Sequence, residues 1–128
     1  MKILAVDTAT EACSAALYID GEIRERYEIA PRRHAQLLLP MIDSLMAEAE
    51  LKPQQLDAIA FGCGPGSFTG LRIATGVMQG IAYGADLPVV PVSTLAAISQ
   101  QCLQKTTHDT IFTAVDARMD EIYWAVYQ

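Results

Sequence analysis

The sequence predicts one α/β lobe whose elements follow in the order β-β-β-α-β-α-β-α. Three observations carry this prediction. The chain opens on the apolar run Ile3–Val6, which is typical of a central strand covered on both faces. Asp20–Gly21 is a tight hairpin signal between two further strand-like segments. Beyond residue 30, segments with helical spacing of apolar residues alternate with short apolar runs.

The remaining elements are justified in chain order. Cys13–Ile19 and Glu22–Ile29 are predicted to form the hairpin. Apolar residues at three- and four-residue steps predict a first helix over His34–Glu50, with a kink or a short first turn caused by Pro40. The later predicted elements are the strand Leu56–Gly62, a helix over Thr69–Tyr83, the strand Pro88–Val92 and a helix to about Leu103 capped by Ser93 or Thr94.

The composition is that of an ordered, single-domain protein. The chain has 128 residues, of which 52% are hydrophobic and 19% charged, so disorder is disfavoured. The formal net charge is −6, and the only adjacent basic pair is Arg32 and Arg33. Strong binding of nucleic acid by this chain alone is therefore disfavoured, because nucleic-acid-binding surfaces are normally basic.

The cysteines and the hydropathy pattern indicate in which cellular compartment the protein is expected. Cys13, Cys63 and Cys102 are odd in number and have no CxxC spacing, which favours reduced thiols in a cytoplasmic protein over disulfides or a zinc site. No stretch has the length and apolarity of a membrane span, and the first residues lack a signal-peptide core. We therefore expect a cytoplasmic protein without a membrane partner.

One long segment is almost free of charge. Between Asp57 and Lys105 the charged residues are Arg72 and Asp86. A segment this apolar is expected to lie in a core, in an interface, or in both.

Two segments of the chain share a weak repeat. Ala5–Tyr18 and Ala114–Tyr127 each read as an apolar strand, an Asp-containing turn and an apolar strand, at a constant offset of 109 positions. The repeat predicts a first lobe over residues 1–109 and, over residues 110–128, the opening hairpin of a second lobe that the chain does not complete.

Four segments together resemble one protein family. They are Ile3–Ser14, His34–Pro40, Gly64–Arg72 (Gly-Pro-Gly-Ser-Phe-Thr-Gly-Leu-Arg) and Val115–Met119. They span the chain and resemble the bacterial TsaB (YeaZ) family, for which the glycine-rich loop is quite specific.

The resemblance implies a fold and a role. The fold is the actin/Hsp70/sugar-kinase-like, or ribonuclease H-like, lobe with a mixed sheet and helices. The role is that of a non-catalytic subunit in making threonylcarbamoyladenosine beside the tRNA anticodon. The implied partners are a catalytic paralogue of the TsaD type, an ATPase subunit, and a second copy when the paralogue is absent. The tRNA is reached only through the complex, and neither a cofactor nor a metal is expected.

The turn after the first strand is the candidate for a vestigial nucleotide site. The resemblance places Asp7, Thr8 and Thr10 where this fold binds phosphate, and an Asp there can hold magnesium through water. Nucleotide-binding members usually have glycine where this chain has Ala9, because glycine lets the backbone approach phosphate. The alternative, which we favour, is a polar turn whose side chains bond to nearby amides.

The glycine-rich loop and His34 have similar alternatives. Gly62–Gly70 precedes a helix as phosphate loops do, but it lacks the lysine and the spacing of the known phosphate motifs. A tight strand-to-helix connection capped by Ser67 or Thr69 is favoured. The catalytic paralogue implied by the resemblance uses two histidines one helical turn apart, and here Leu38 follows His34 at that step. His34 is then a helix-start or interface residue, and catalysis or a zinc-peptidase activity is disfavoured.

Two helices carry more apolar or small residues than one sheet can cover. Gly76, Gly80 and Gly84 recur every four residues, although glycine costs about 1 kcal/mol against alanine in a helix. Close approach of a partner helix explains them, and packing on the chain's own sheet is the alternative. The predicted interface residues are His34, Leu37, Leu38, Met41, Leu45, Arg72, Gly76, Gln79, Gly80 and Tyr83. The competing function is an ATP-dependent phosphotransferase or nucleotide hydrolase of the same fold.

Overall fold

The computed structural model describes residues 1–108, 110–118 and 121–128, with the backbone alone for residues 116–118. Its centre is a five-stranded sheet in the order β3-β2-β1-β4-β5. The strands are β1 (Lys2–Asp7), β2 (Ala12–Ile19), β3 (Glu22–Ile29), β4 (Ala58–Gly64) and β5 (Val89–Ser93). All five lie where the sequence predicts them, within two residues at each end.

Chain connectivity explains which strand pairs are parallel. β1 pairs antiparallel with β2, and β2 with β3, because short turns join them. At the β2–β3 turn Asp20 and Gly21 have φ values of 48° and 96°, as the hairpin signal predicts. β4 runs parallel to both β1 and β5, since a helix lies in each connection.

In the described part of the chain three α-helices join the strands, α1 (His34–Glu48), α2 (Phe68–Ala85) and α3 (Thr94–Leu103), and a 3-10 turn over Pro53–Gln55 precedes β4. α1 continues through Pro40 as one helix. Ser67 caps α2 and Ser93 caps α3, each accepting a hydrogen bond from an amide three residues on. The predicted element order is confirmed.

The two faces of the sheet are covered to different extents. α1 and α2 pack on one face, and the side chains buried between them and the sheet form the core, with Leu4, Leu17, Leu38, Leu45 and Ile59 all at most 1% exposed. α3 lies on the other face and leaves the β2–β3 end open. There Ile23 and Tyr27 are more than half exposed. β1, the strand expected to be covered on both faces, lies in the middle of the sheet. Leu4 and Val6 on one of its faces are buried, and Ile3 and Ala5 on the other are partly buried, so the expectation holds in part.

The last two strands form a separate hairpin, β6 (Ile111–Arg118) with β7 (Glu121–Tyr127). The buried hydroxyls of Ser99 on α3 and Thr113 on β6 are hydrogen-bonded, which attaches the hairpin to α3. On its outer face Phe112 stacks on Trp124 with ring centroids 5.8 Å apart. Met119 of the family motif lies outside the described residues, and the predicted boundary between residues 109 and 110 stays a prediction.

The repeat predicts the hairpin but not its register. In the first copy Ala5 lies opposite Ala16. The offset would place Ala114 opposite Ala125, and the structure pairs Ala114 with Trp124 instead. An irregularity between Asp116 and Arg118 displaces the pairing by one residue, which exchanges the two faces of one strand relative to the repeat.

No helix in the described part of the chain is long and apolar enough to cross a membrane.

Candidate functional site: an exposed helix stripe and a polar turn

α2 has one face in the core and one open face. Every fourth residue from Gly70 is buried against the sheet, and the buried residues are Gly70, Ala74, Met78 and Ala82. The opposite side is exposed along the whole helix. We call this side the glycine stripe, and it consists of Phe68, Arg72, Gly76, Gln79, Gly80, Tyr83 and Gly84.

The glycine stripe is an open surface with aromatic ends. Among the residues that the structure describes, a Cβ added at Gly76, Gly80 or Gly84 would meet nothing within 4 Å outside its own helix turn. Tyr83 is 93% exposed and Phe68 69% exposed. The alternative that these glycines pack on the chain's own sheet is therefore wrong.

Arg72 is the one charged residue of the stripe. Its guanidinium lies over the ring of Phe68, 4.2 Å from the ring centroid, within the range of a cation–π contact. The stripe thus has a positive charge near the start of α2 and an uncharged surface along the rest of the helix.

Three of the predicted interface residues on α1 are buried within this chain. Leu38 and Leu45 are fully buried in the core, so predicting them as partner contacts was wrong. His34 does begin α1, but it is only 8% exposed, and its Nε2 lies 2.8 Å from the carbonyl oxygen of Thr10. It therefore joins the helix start to the polar turn and is no surface residue. Leu37 and Met41 are partly buried against the core and keep some exposed surface.

Two side chains of the polar turn Asp7–Thr10 accept hydrogen bonds from amides two residues further along the chain. Oδ1 of Asp7 accepts from the amide of Ala9 at 2.8 Å, and Oγ1 of Thr10 accepts from the amide of Ala12 at 3.2 Å. These are the local bonds of a polar turn, the alternative favoured from the sequence.

Thr8 is not available to a phosphate, which corrects its assignment to the vestigial site. Its side chain is fully buried, and its hydroxyl donates to the carbonyl oxygen of Gly70 at the start of α2. Local sequence patterns cannot predict a hydrogen-bond acceptor that lies 62 residues further along the chain.

The glycine-rich loop also uses its amides within the protein. The amide of Ser67 donates to the carbonyl oxygen of Ala9 at 2.7 Å, and the amide of Gly70 donates to Oγ of Ser67 at 3.3 Å. The favoured interpretation of a tight, Ser67-capped connection is supported, because amides already bonded to protein oxygens are not free to bind phosphate.

An open cleft of about 730 Å³ lies beside the polar turn, between the exposed end of β2 and β3 and α3. Asp7 and Glu25 are among its lining residues, which include neither Lys nor Arg in the described part of the chain. Two carboxylates without a cation form a poor phosphate site. Nor do the described residues contain a cluster of three or more His, Cys, Asp or Glu side chains placed to hold a metal ion.

Comparison with known families decides the affiliation of the chain. The family model described as "TsaD: tRNA N6-adenosine threonylcarbamoyltransferase" matches residues 26–128. The chain belongs to the TsaD family. Within that family it is of the TsaB/YeaZ type, as its relatives show.

Two relatives of this TsaD-family chain have high identity to it. The tRNA threonylcarbamoyladenosine biosynthesis protein TsaB of Escherichia coli is 48% identical over 128 residues, which cover 100% of this chain and 55% of that protein. The solved structure of YeaZ from Pseudomonas aeruginosa is 50% identical with a TM-score of 0.94, covering 99% of this chain and 60% of that one. The chain thus spans little more than half the length of the relatives it matches.

A more distant neighbour supports the fold alone. RuvC of Thermus thermophilus, solved with a Holliday junction substrate, has a TM-score of 0.51 at 11% identity and covers 85% of this chain and 71% of that one. With the YeaZ structure, it identifies the lobe as actin-like and ribonuclease H-like, as the resemblance implied.

Proposed function

We propose that this TsaD-family chain is a non-catalytic docking lobe for threonylcarbamoyladenosine biosynthesis, and that it binds a TsaD-type catalytic paralogue through the glycine stripe. The observation that carries the proposal is the open environment of Gly76, Gly80 and Gly84. Each glycine costs about 1 kcal/mol of helix stability against alanine, and no close contact with the described residues outside its own helix offsets that cost. Close approach of a partner helix gives a physical reason for all three.

The side chains around the glycines fit a protein partner. Tyr83 and Phe68 present exposed aromatic rings, and aromatic residues are enriched in protein interfaces relative to the rest of the surface. Leu37 and Met41 on α1 are packed against the core but partly exposed, and they add apolar surface to the proposed interface. A paralogue of the same fold would present two helices of its own, so the complex would be a four-helix contact.

Self-association and assembly follow from the same surface. Without the paralogue, a second copy can offer a similar pair of helices, and we propose a homodimer in isolation. With a net charge of −6 this chain is poorly suited to bind tRNA by itself. We therefore assign the contact with tRNA to the paralogue within the assembled complex. An ATPase subunit of the same pathway completes that complex.

The competing function, an ATP-dependent phosphotransferase or nucleotide hydrolase, has less support. Its phosphate contacts would come from the polar turn, where Thr8 is buried against Gly70. The adjoining cleft is lined by Asp7 and Glu25 without a basic residue in the described chain. Micromolar ATP affinity that is lost in Asp7→Ala, measured by calorimetry, would restore this alternative.

The test of the docking lobe is Gly80→Leu against a matched control, Gln101→Leu. Both variants add a leucine at an exposed helical position, but Gln101 lies on α3 across the sheet from the stripe. A leucine at position 80 holds two helix backbones apart, and overpacking costs about 1–3 kcal/mol, so affinity for a purified TsaD-type paralogue should fall roughly 5- to 150-fold.

Gln101→Leu should bind as the unsubstituted chain does. A thermal melt of Gly80→Leu as a monomer should show no loss of stability, because the position faces open space and leucine is the better helix former. Unchanged affinity in Gly80→Leu, measured by calorimetry and by sedimentation, would remove the stripe from the interface.

A further inference from the structure

A second set of glycines, here called the lock glycines, lies against the polar turn. They are Gly62 on β4, Gly66 in the loop and Gly70 on the first turn of α2. A Cβ at Gly62 would lie 2.9 Å from Cγ of Asp7, and one at Gly66 would lie 2.6 Å from the carbonyl oxygen of Ala9. One at Gly70 would overlap the carbonyl oxygen of Thr8. Two of the three obstacles are backbone atoms, which cannot swing aside as the end of a side chain can.

Hydrogen bonds fix the same contact from both sides. The amide of Ser67 donates to the carbonyl oxygen of Ala9 at 2.7 Å, and the hydroxyl of Thr8 donates to the carbonyl oxygen of Gly70. Thr8 and Ala9 are 0% and 2% exposed. The polar turn and the first turn of α2 are therefore held together as one buried unit.

This unit lies directly behind the start of the glycine stripe. Gly70 faces the polar turn, and Phe68 and Arg72 lie two residues away on either side of it in sequence, which places them on the opposite side of the same helical turn. Any shift of the helix start against the polar turn would therefore move the Arg72–Phe68 pair, whose guanidinium and ring are 4.2 Å apart.

We infer that the polar turn is a positioning element for the docking surface, and that Thr8 is a positioning residue for partner binding although it cannot touch a partner. The inference rests on the proposed function of the glycine stripe. The Thr8 hydroxyl holds the first turn of α2, and through it the exposed Arg72 and Phe68, in the position that the partner meets.

The test compares Thr8→Val with Thr8→Ser and Thr10→Val. Valine keeps the shape of threonine and removes the hydroxyl that the Gly70 carbonyl accepts from, whereas serine retains it. Thr10→Val makes the same substitution two residues on, at an exposed side chain whose hydroxyl accepts from the nearby amide of Ala12. Loss of one buried hydrogen bond should lower affinity for a purified TsaD-type paralogue roughly three- to tenfold in Thr8→Val, and the other two variants should bind normally.

A core variant separates positioning from general destabilisation. Ile59→Val removes one methylene from a fully buried side chain of β4 and lowers the melting temperature without touching the polar turn. It should keep full affinity for the paralogue. Equal affinity losses in Ile59→Val and Thr8→Val would overturn the inference, and so would unchanged affinity in Thr8→Val.

A partner-free measurement distinguishes failure of this inference from failure of the proposed function. The amide of Leu71 donates to the carbonyl oxygen of Ser67 at 2.8 Å in the first turn of α2. Its hydrogen exchange in the isolated chain should be several-fold faster in Thr8→Val than in Ile59→Val. If the unsubstituted chain does not bind the paralogue but this difference appears, the proposed function fails and the mechanical link stands. If the exchange rates are equal, the link itself is wrong.

Discussion

The two sets of glycines in the segment 62–84 have the same spacing and opposite surroundings. The lock glycines recur every four residues at 62, 66 and 70, and the stripe glycines recur every four residues at 76, 80 and 84. An added Cβ meets Asp7, Ala9 or Thr8 at the lock positions, and at the stripe positions it meets no described residue within 4 Å outside its own helix turn. The first set is glycine because the chain itself approaches closely, and we propose that the second is glycine because a partner does.

The comparison shows what glycine spacing can and cannot reveal. A four-residue step indicates that the glycines share a side of a helix or lie along one surface, but it carries no information about what approaches them. That information comes from contacts distant in sequence. Gly70 meets Thr8 across 62 positions, and the open side of α2 becomes evident only once its buried side, from Gly70 to Ala82, is known.

The largest effect is expected at a lock position. Gly70→Ala should destabilise the chain by about 1–3 kcal/mol or more, as overpacking typically does, because the new methyl group overlaps the backbone carbonyl oxygen of Thr8. Urea unfolding monitored by circular dichroism measures the loss. A Gly70→Ala variant as stable as the unsubstituted chain would show that the helix start and the polar turn are not in tight contact.

The matched substitution at a stripe position should have a smaller effect of opposite sign. Gly76→Ala places its methyl group in open space, so the gain in helix propensity, up to about 1 kcal/mol, should raise stability. The same unfolding experiment, at a protein concentration low enough to keep the chain monomeric, provides the comparison. Destabilisation by Gly76→Ala would mean that the two sets of glycines do not differ as the structure indicates.

The fold was predictable from the sequence because its signals are local. The Asp20–Gly21 turn, the apolar runs of the strands and the Ser67 and Ser93 caps each act within a few residues, and all appear in the structure. The element order needs nothing beyond them.

The site was predictable only in part, because its decisive contacts are not local. Leu38 and Leu45 were assigned to the interface since α1 is apolar over a broad arc, and periodicity does not say which part of that arc faces the sheet. The sequence around Thr8 suggests a phosphate site, but its hydroxyl points to the Gly70 carbonyl on α2. That contact cannot be read from the residues next to Thr8. The exposed stripe residues Arg72, Gln79 and Tyr83 lie on the open side as expected, but their contact with a partner stays a prediction.

The most direct test of the central claim is the protection of a thiol on the glycine stripe by the TsaD-type paralogue. Gln79→Cys and Gln101→Cys are the same exchange at exposed helical positions on α2 and α3, on opposite faces of the sheet. Both are made with the exposed Cys63 and Cys102 replaced by serine. Cys13 can stay, because burial raises the pKa of its thiol and keeps it protonated and unreactive.

The measured quantity is the alkylation rate of each introduced thiol with and without saturating paralogue. The account predicts that alkylation at position 79 slows by at least about tenfold when the paralogue binds, while the rate at position 101 stays unchanged. Equal rates at position 79 with and without bound paralogue would contradict the claim that the glycine stripe is the docking surface.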